Sequence, residues 1–248
     1  MTKKSHPRLR IALAVVLAVV LVCAAGFAAY VNNYYHAEPS AVQAMAPDGA
    51  VSVYKLRDGV TVFAPEEPSS GFIFYPGGKV EHTAYAPLLR ACAERGVLCV
   101  LIRMPFNLAV FHINGANGIP EQFPDVDRWY LGGHSLGGAM AASYAADHAD
   151  ELDGLVLLAA YSTRDLTGSG LAVLSVYGSE DGVLDMEKYE QYRSNLPART
   201  SEVVIDGGCH AGFGRYGVQD EDGTPTISGD EQINRAAEEI ARIILTAS

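Results

Sequence analysis

A serine with a glycine two residues away on each side is the feature of this sequence that most directly indicates a catalytic residue. Residues 133–137 read Gly-His-Ser-Leu-Gly, which puts Ser135 in a G-x-S-x-G pattern. An apolar stretch at 129–132 precedes it and an Ala-rich stretch at 136–148 comes after it, which predicts a strand, a sharp turn and a helix. Such a turn presents a hydroxyl for attack, and glycines without a Cβ leave room for the tight backbone. The pattern therefore predicts Ser135 as a nucleophile.

A serine hydroxyl is a weak nucleophile until a base removes its proton, and the sequence holds seven histidines. His210 comes after the last predicted strand in a Gly-flanked loop, at the carboxyl edge where open parallel sheets hold ligands. The other six lie in the N-terminal segment, inside the serine motif, or at helix and loop positions. We predict His210 as the general base. Its neighbour Cys209 is an alternative nucleophile, but it lacks the turn that surrounds Ser135.

The base needs a carboxylate on its other ring nitrogen to orient it. Asp181 comes just after the apolar run 171–177, which also puts it at the carboxyl edge of the predicted sheet. Asp185 is predicted to begin the next helix, where the helix dipole already explains a carboxylate. Asp206 precedes His210 by four residues and most simply ends a strand. We predict Asp181 as the orienting acid, with Asp185 and Asp206 as the alternatives.

Backbone N–H groups would have to stabilise the oxygen that becomes negatively charged during attack. Leu136 is next to the nucleophile and opens a helix, so its amide is one predicted donor. Residues 75–78 read Tyr-Pro-Gly-Gly after an apolar run, and two glycines allow close approach of the backbone to a substrate. We predict the Gly78 amide as the second donor. The sequence does not single out substrate-binding side chains.

Four segments resemble motifs of the α/β-hydrolase superfamily and occur in the family's chain order. Residues 75–78 resemble its oxyanion loop, with Pro76 where many members have His, and residues 132–138 resemble its nucleophile turn. Residues 177–181 resemble the segment that carries the acid, and residues 207–210 the segment that carries the histidine. The resemblance covers about residues 51–248 and is closest to small carboxylesterases and dienelactone-hydrolase-like members without a large cap domain.

This resemblance implies a serine hydrolase with Ser135, His210 and Asp181 as its triad. The implied reaction is the cleavage of a carboxylic ester, or of a thioester or lactone, through an acyl-enzyme intermediate. Fold does not fix function, so two alternatives stand beside it. One is a non-catalytic binding module on the same fold, and the other is an acyltransferase that uses the same triad.

The elements that must position these residues alternate along the chain. Strands separated by helices indicate βαβ units and an α/β fold with a mostly parallel central sheet covered by helices on both faces. The predicted strands are residues 51–56, 60–64, 71–75, 97–103, 129–132, 155–160, 171–177 and 202–205. The predicted helices of this domain are residues 85–95, 136–148, 185–195 and 230–246.

The N-terminal segment has a different character. Residues 1–10 carry four basic residues and no acid, and residues 11–31 contain no charged residue. A helix over that run rises about 32 Å, enough to cross the hydrocarbon core of a bilayer. The basic flank predicts a cytoplasmic tail at 1–10 and an extracytoplasmic location for the chain beyond the helix. We predict a signal anchor at 11–31, a tether at 32–49 and a catalytic domain at 50–248, with a cleaved signal peptide and secretion as the alternative.

Composition and net charge limit the kinds of molecule that this protein could bind. The chain has 248 residues, of which 49% are hydrophobic and 19% charged, which excludes a disordered protein. Beyond the apolar run lie all 29 acidic residues but only 14 of the 18 basic ones, which gives that part a net charge of −15. Such a charge argues against nucleic acid as a partner. The sequence shows no metal-ligand spacing and no nucleotide-binding glycine motif, so we predict no metal and no cofactor. The predicted partners are a small-molecule ester and the membrane.

Overall fold

The structure, a computed structural model, describes residues 7–47, 49–57 and 59–246. The chain divides into two compact units, Met1–Tyr34 and Tyr35–Ser248. In the first unit, helix α1 (Pro7–Asn32) contains a segment, Arg10–Asn32, that is long and apolar enough to cross a membrane. A signal sequence has the same features. Residues 1–6 of the predicted cytoplasmic tail lie outside the described residues.

The second unit is built around one sheet. Its strands in the described ranges are β1 (Ser52–Arg57), β2 (Val60–Ala64), β3 (Ser70–Tyr75), β4 (Leu98–Ile102), β5 (Arg128–His134), β6 (Gly154–Leu158), β7 (Ala172–Gly178) and β8 (Thr200–Ile205). They are ordered β1-β2-β4-β3-β5-β6-β7-β8. The β1–β2 and β2–β4 pairs are antiparallel, and every pair from β4 to β8 is parallel. The predicted α/β fold with a mostly parallel sheet is confirmed.

Helices cover both faces of this sheet. They are α3 (Ala86–Ala93), α4 (Leu136–Asp147), α5 (Met186–Tyr192) and α6 (Gly229–Thr246), with a short helix α2 (Pro39–Gln43) before the first strand. Strand β3 shows how the two cores form, because successive side chains point to opposite faces. Phe72 and Phe74 pack in the core that contains α3 and α6, whereas Ile73 and Tyr75 pack in the core that contains α4. Both faces of the central strands are therefore buried, as parallel sheets require.

The strand order brings the predicted site residues to one edge of the sheet. Parallel strands have their carboxyl ends on the same side, and β3, β5, β7 and β8 all lead into segments that contain candidate site residues. Each strand and helix predicted for the second unit has a counterpart whose ends lie within three residues of the prediction.

The segment predicted as a tether, residues 32–49, differs in the structure. Its described residues from Tyr35 onward belong to the second unit, and the Ala41 side chain on α2 is fully buried. The guanidinium Nε of Arg90 donates a hydrogen bond to the Ala44 carbonyl at 2.8 Å. Small apolar residues in this segment fit against the domain surface, which explains why it does not stay a free linker.

Candidate active site

Ser135 occupies the turn between β5 and α4. Its backbone has φ 51° and ψ −122°, a left-handed conformation that is strained for a residue with a side chain and is common at functional sites. The Ser135 amide donates to the Leu158 carbonyl of β6 at 2.9 Å, and its own carbonyl accepts from the Ala139 amide at 3.0 Å. These bonds anchor the turn to the sheet on one side and to the helix on the other. The Ser135 residue is only partly buried and borders an open cleft.

Two glycines allow the end of β3 to approach this turn. A Cβ atom added at Gly133 would lie 2.5 Å from the carbonyl oxygen of Tyr75. A Cβ atom at Gly137 would collide with the carbonyl oxygens of both Tyr75 and Pro76. Because neither residue has a side chain, the 75–78 loop can pack directly against the turn that carries Ser135.

His210 and Asp181 meet in the loops that come after β8 and β7. The His210 Nδ1 atom lies 2.9 Å from Asp181 Oδ2 and 3.1 Å from Oδ1, and each side chain is 2% exposed. Asp181 Oδ1 also accepts the backbone amides of Val183 at 2.9 Å and Leu184 at 2.8 Å. The carboxylate is thus held in one orientation, and its position fixes the proton of His210 on Nδ1.

Among the described residues, the alternative acids make no hydrogen bond to His210, although Asp185 lines the same cleft. Asp185 is exposed and caps the N-terminus of α5, where it accepts the Lys188 amide at 3.1 Å. Asp206 is exposed just after β8. The structure therefore brings Asp181, and neither of the alternatives, to the imidazole of His210.

Ser135 and His210 border the same cleft, which has a volume of about 380 Å³. The His210 Nε2 atom is buried and has no hydrogen-bond partner in the described part of the chain. The structure therefore contains no Ser135–His210 hydrogen bond, but the ring nitrogen that a general base needs has no partner, and its residue lines the same cleft as Ser135. Catalytic hydrogen bonds are often long in ligand-free enzymes and shorten when substrate binds.

His134 and Tyr85 support this arrangement. The rings of His134 and His210 have their centres 4.5 Å apart. Tyr85 Oη lies 2.8 Å from His134 Nδ1 and accepts the Gly77 amide at 3.1 Å. Burial and the nearby His210 lower the pKa of His134 well below its ordinary value. His134 is therefore a neutral ring that packs against His210, and Tyr85 connects it to the loop after β3.

The predicted oxyanion donors are neighbours. A Cβ atom added at Gly78 would lie 2.9 Å from the Leu136 side chain. The Leu136 amide is the first of α4, so it has no acceptor within the helix. In the turn, the Gly77 amide donates to Tyr85 and the Lys79 amide donates to the Asn107 carbonyl at 2.8 Å. In the described ranges, no hydrogen bond involves the Gly78 amide, so it is available to a ligand.

Sequence reasoning missed Asp222, which joins the two loops that carry Asp181 and His210. Its Oδ1 atom accepts the amides of Gly182 at 3.2 Å and His210 at 3.0 Å, and Oδ2 accepts the Ala211 amide at 2.8 Å. Burial alone would raise the pKa of Asp222, but these hydrogen bonds lower it below its ordinary value. Asp222 lies in a long irregular loop, and no local pattern distinguishes it from other loop acids.

Gln232 was also missed, although the sequence does carry a signal for it. Its buried side chain accepts the Cys209 amide at 2.9 Å and donates to the Cys209 carbonyl at 2.7 Å. Gln232 thereby fixes the loop before His210 onto α6. The signal is a polar residue on the apolar face of a predicted helix, which usually has a specific partner.

Neither Cys209 as an alternative nucleophile nor a metal site is supported by the structure. Burial and the nearby Asp222 carboxylate raise the pKa of Cys209 to about 11, so this residue is a thiol at neutral pH. Thiols are much weaker nucleophiles than thiolates. Among the residues that the structure describes, no group of three or more His, Cys, Asp or Glu side chains is arranged to hold a metal ion.

Solved structures with the same fold include three with similar lengths. TT1662 from Thermus thermophilus is 17% identical with a TM-score of 0.57, over 80% of this chain and 99% of that one. Est1E from Butyrivibrio proteoclasticus is 14% identical with a TM-score of 0.57, over 80% and 100%. A CIB-like hydrolase from Thermoplasma acidophilum is 15% identical with a TM-score of 0.54, over 78% and 99%. At these identities the likeness shows the fold.

The sequence comparisons identify the family. No curated protein matches the chain. The model described as the alpha/beta hydrolase family matches residues 71–234, a range that contains the 75–78 loop, Ser135, Asp181 and His210. Because this match spans well over half of the chain, the protein belongs to the α/β-hydrolase family.

Proposed function

We propose that the protein is a serine hydrolase that cleaves carboxylic esters with Ser135, His210 and Asp181. Membership of the family supports a hydrolase in general. The observation that carries the finer proposal is the buried pair of His210 and Asp181, in which His210 keeps an unpartnered Nε2 atom and lines the same cleft as Ser135. A buried imidazole held by a carboxylate on one nitrogen and unoccupied on the other is the arrangement that a general base requires.

The mechanism begins when substrate fills the cleft and Ser135 Oγ comes within hydrogen-bond distance of His210 Nε2. His210 takes the hydroxyl proton as Oγ attacks the carbonyl carbon of the ester. The carbonyl oxygen becomes an oxyanion that accepts the amides of Leu136 and Gly78, each worth about 3 kcal/mol of transition-state stabilisation. His210 then gives its proton to the departing alkoxide oxygen, which leaves as an alcohol and forms an acyl-enzyme.

Water completes the reaction. His210 takes a proton from a water molecule, whose oxygen attacks the acyl carbon, and then returns a proton to Ser135 Oγ as the carboxylic acid leaves. In both steps Asp181 keeps the Nδ1 proton of His210 in place and stabilises the imidazolium that forms. The neutral ring of His134 adds no positive charge that would oppose this imidazolium.

Apolar side chains of Leu136, Met140 and Leu184 and the ring of Tyr161 border the cleft. Thr163 and Asp185 also line the cleft, and the apolar part of its lining suits the acyl group of an ester. We further propose that α1 anchors the enzyme to a membrane with the catalytic unit outside the cytoplasm. The basic residues before the apolar run support this orientation.

Labelling with a fluorophosphonate tests the nucleophile. The full chain in detergent micelles is treated with the probe and assayed on a water-soluble ester such as p-nitrophenyl butyrate. We expect wild-type protein to be labelled and active, and the Ser135→Ala variant to show neither property while it unfolds at the same temperature. Folded wild-type protein that is neither labelled nor active would contradict the proposal and favour a binding module.

A further inference from the structure

The chain passes from the apolar helix to the candidate oxyanion loop within three residues. Helix α1 ends at Asn32. The Tyr35 amide donates to the Lys79 carbonyl at 2.7 Å, and the Tyr35 carbonyl accepts the Glu81 amide at 2.9 Å. Three residues of extended chain reach about 11 Å at most. Only Asn33 and Tyr34 therefore separate the end of α1 from backbone that is hydrogen-bonded to the chain just after the 75–78 loop.

This attachment is firm. The Tyr35 hydroxyl accepts the Asp220 amide at 3.1 Å, and its ring packs against Tyr216 with the centres 5.7 Å apart. Two residues later, the Ala37 amide donates to the Glu81 carboxylate at 3.0 Å. Because both sides of Tyr35 are bound to the domain, the free chain between α1 and the domain is limited to Asn33 and Tyr34.

Exposed apolar side chains adjoin the same loop. Phe106, Val110 and Phe111 are 53%, 44% and 51% exposed, and the two phenylalanine rings make an edge-to-face contact with centres 5.7 Å apart. Their segment is joined to the oxyanion loop by the hydrogen bond from the Lys79 amide to the Asn107 carbonyl. Aromatic and aliphatic side chains grouped in this way are typical of a surface that enters the interfacial region of a bilayer.

Basic side chains also gather at this edge, although the domain as a whole is acidic. Lys55 and Arg57 of β1 and Arg103 after β4 are exposed. The β1–β2 hairpin meets the end of β4 there, where the Arg103 amide donates to the Gly59 carbonyl at 2.7 Å. Positive charge beside an apolar patch favours contact with anionic headgroups.

We propose that the catalytic cleft opens at the membrane surface and that its substrate is an amphiphilic ester resident in the bilayer. Phe106, Val110 and Phe111 enter the headgroup region, and the ester passes from the bilayer into the cleft. This inference rests on the proposed esterase function and on retention of α1. It names the bilayer as the source of substrate, which the esterase proposal alone leaves open.

The test compares two esters of one fluorophore. The full chain is reconstituted in phosphatidylcholine vesicles and assayed on 4-methylumbelliferyl oleate within the bilayer and on 4-methylumbelliferyl acetate in the buffer. The Phe106→Ser/Phe111→Ser double variant should hydrolyse the oleate about tenfold more slowly than the wild type. Its rate on the acetate should stay within about twofold of the wild-type rate. Val204→Ser, which changes an exposed apolar residue at the far edge of the sheet on β8, should alter neither rate.

A second variant tests the short connection. A flexible Gly-Ser linker of about 20 residues inserted between Asn33 and Tyr34 should lower the oleate rate and leave the acetate rate unchanged. If the double variant also loses acetate hydrolysis, its substitutions have damaged the catalytic site itself. The linker variant alone then tests whether the substrate comes from the bilayer. Equal oleate rates in wild type and linker variant would overturn the proposal, as would a mature membrane-derived protein that lacks α1. Failure of the folded wild-type chain to hydrolyse either ester would instead refute the esterase function itself.

Discussion

The imidazole rings of His134 and His210 lie with their centres 4.5 Å apart in the interior of the protein. Two positive rings at this distance would repel each other strongly in a medium that screens charge poorly. The Tyr85 hydroxyl on His134 Nδ1 and the burial of the ring favour a neutral His134. His210, the candidate base, therefore packs against a ring that stays neutral and does not take up a proton itself.

This relationship predicts how stability depends on pH. The folded-state pKa of His134 is lowered, whereas an unfolded histidine has a pKa of about 6.5. Between these pKa values the unfolded chain binds a proton that the folded chain does not, so stability is full above about pH 6.5 and falls as pH decreases. Burial lowers the pKa of His82 to about 4, which adds a loss of the same sign.

Thermal unfolding of the full chain between pH 7.5 and pH 5 measures this effect. We expect the unfolding temperature to fall across the range, and to fall less steeply in a His82→Gln variant and in a His134→Gln variant. The slope is the informative quantity, because either substitution also changes stability at every pH. Identical slopes in the variants and the wild type would show that neither histidine is held neutral.

Replacement of Asp181 by Asn tests the orienting carboxylate. The amide cannot accept the Nδ1 proton with the charge that stabilises an imidazolium, and it favours the wrong ring tautomer. We expect kcat on a water-soluble ester to fall by roughly 10⁴-fold with the fold retained. Asp206→Asn serves as the matched control, because that residue is exposed and remote from His210 in the hydrogen-bond network. Near-normal turnover in Asp181→Asn would remove Asp181 from the triad.

Asp222 is predicted to position the triad without touching substrate. In Asp222→Asn an amide NH₂ group replaces one acceptor oxygen and faces a backbone N–H that then lacks a partner. Such a loss destabilises a protein by about 1–3 kcal/mol. Small displacements of catalytic groups reduce rates by up to about 100-fold. We expect kcat to fall by about 10- to 100-fold while KM changes little.

A double variant separates positioning from a purely structural role. If Asp222 acts by holding the Asp181 and His210 loops together, Asp222→Asn should cost much less activity in an Asp181→Asn background than in the wild type. Full additivity of the two losses would indicate that Asp222 affects activity by another route. Gly168→Ala, at an exposed turn with open space around it, provides a neutral reference for expression and folding.

The parts of the fold and site that were predictable are those encoded over short stretches of chain. The turn at Ser135 and its flanking strand and helix occupy one continuous stretch, Arg128 to Asp147, so their periodicity and glycines suffice. Strands such as β4 are buried on both faces and therefore read as continuous apolar runs. The roles of Ser135, His210, Asp181, Leu136 and Gly78 remain predictions that the proposed experiments address.

The features that the sequence did not reveal depend on contacts between distant segments. Asp222 gains its partners because an irregular loop folds back on the loops after β7 and β8, and no periodic pattern specifies that path. Tyr35 belongs to a segment expected to be a tether, yet its backbone bonds to Lys79 and Glu81, which are far away in the sequence. Such contacts become visible only when the whole domain is assembled.

Gly137→Ala tests the close packing that brings the oxyanion loop to the nucleophile. The added Cβ would collide with the carbonyl oxygens of Tyr75 and Pro76, which are backbone atoms at the end of β3 and cannot rotate away. Overpacking of this kind destabilises proteins by about 1–3 kcal/mol, which corresponds to roughly 3–10 °C in unfolding temperature for a chain of this size. Relief of the collision moves the 75–78 loop away from Ser135, so fluorophosphonate labelling should also slow. Gly168→Ala should change neither quantity, since nothing lies within 4 Å of its added Cβ. Equal unfolding temperatures for the two variants would mean that the loop adapts without strain, and the Gly78 amide would then lose its support as a fixed donor.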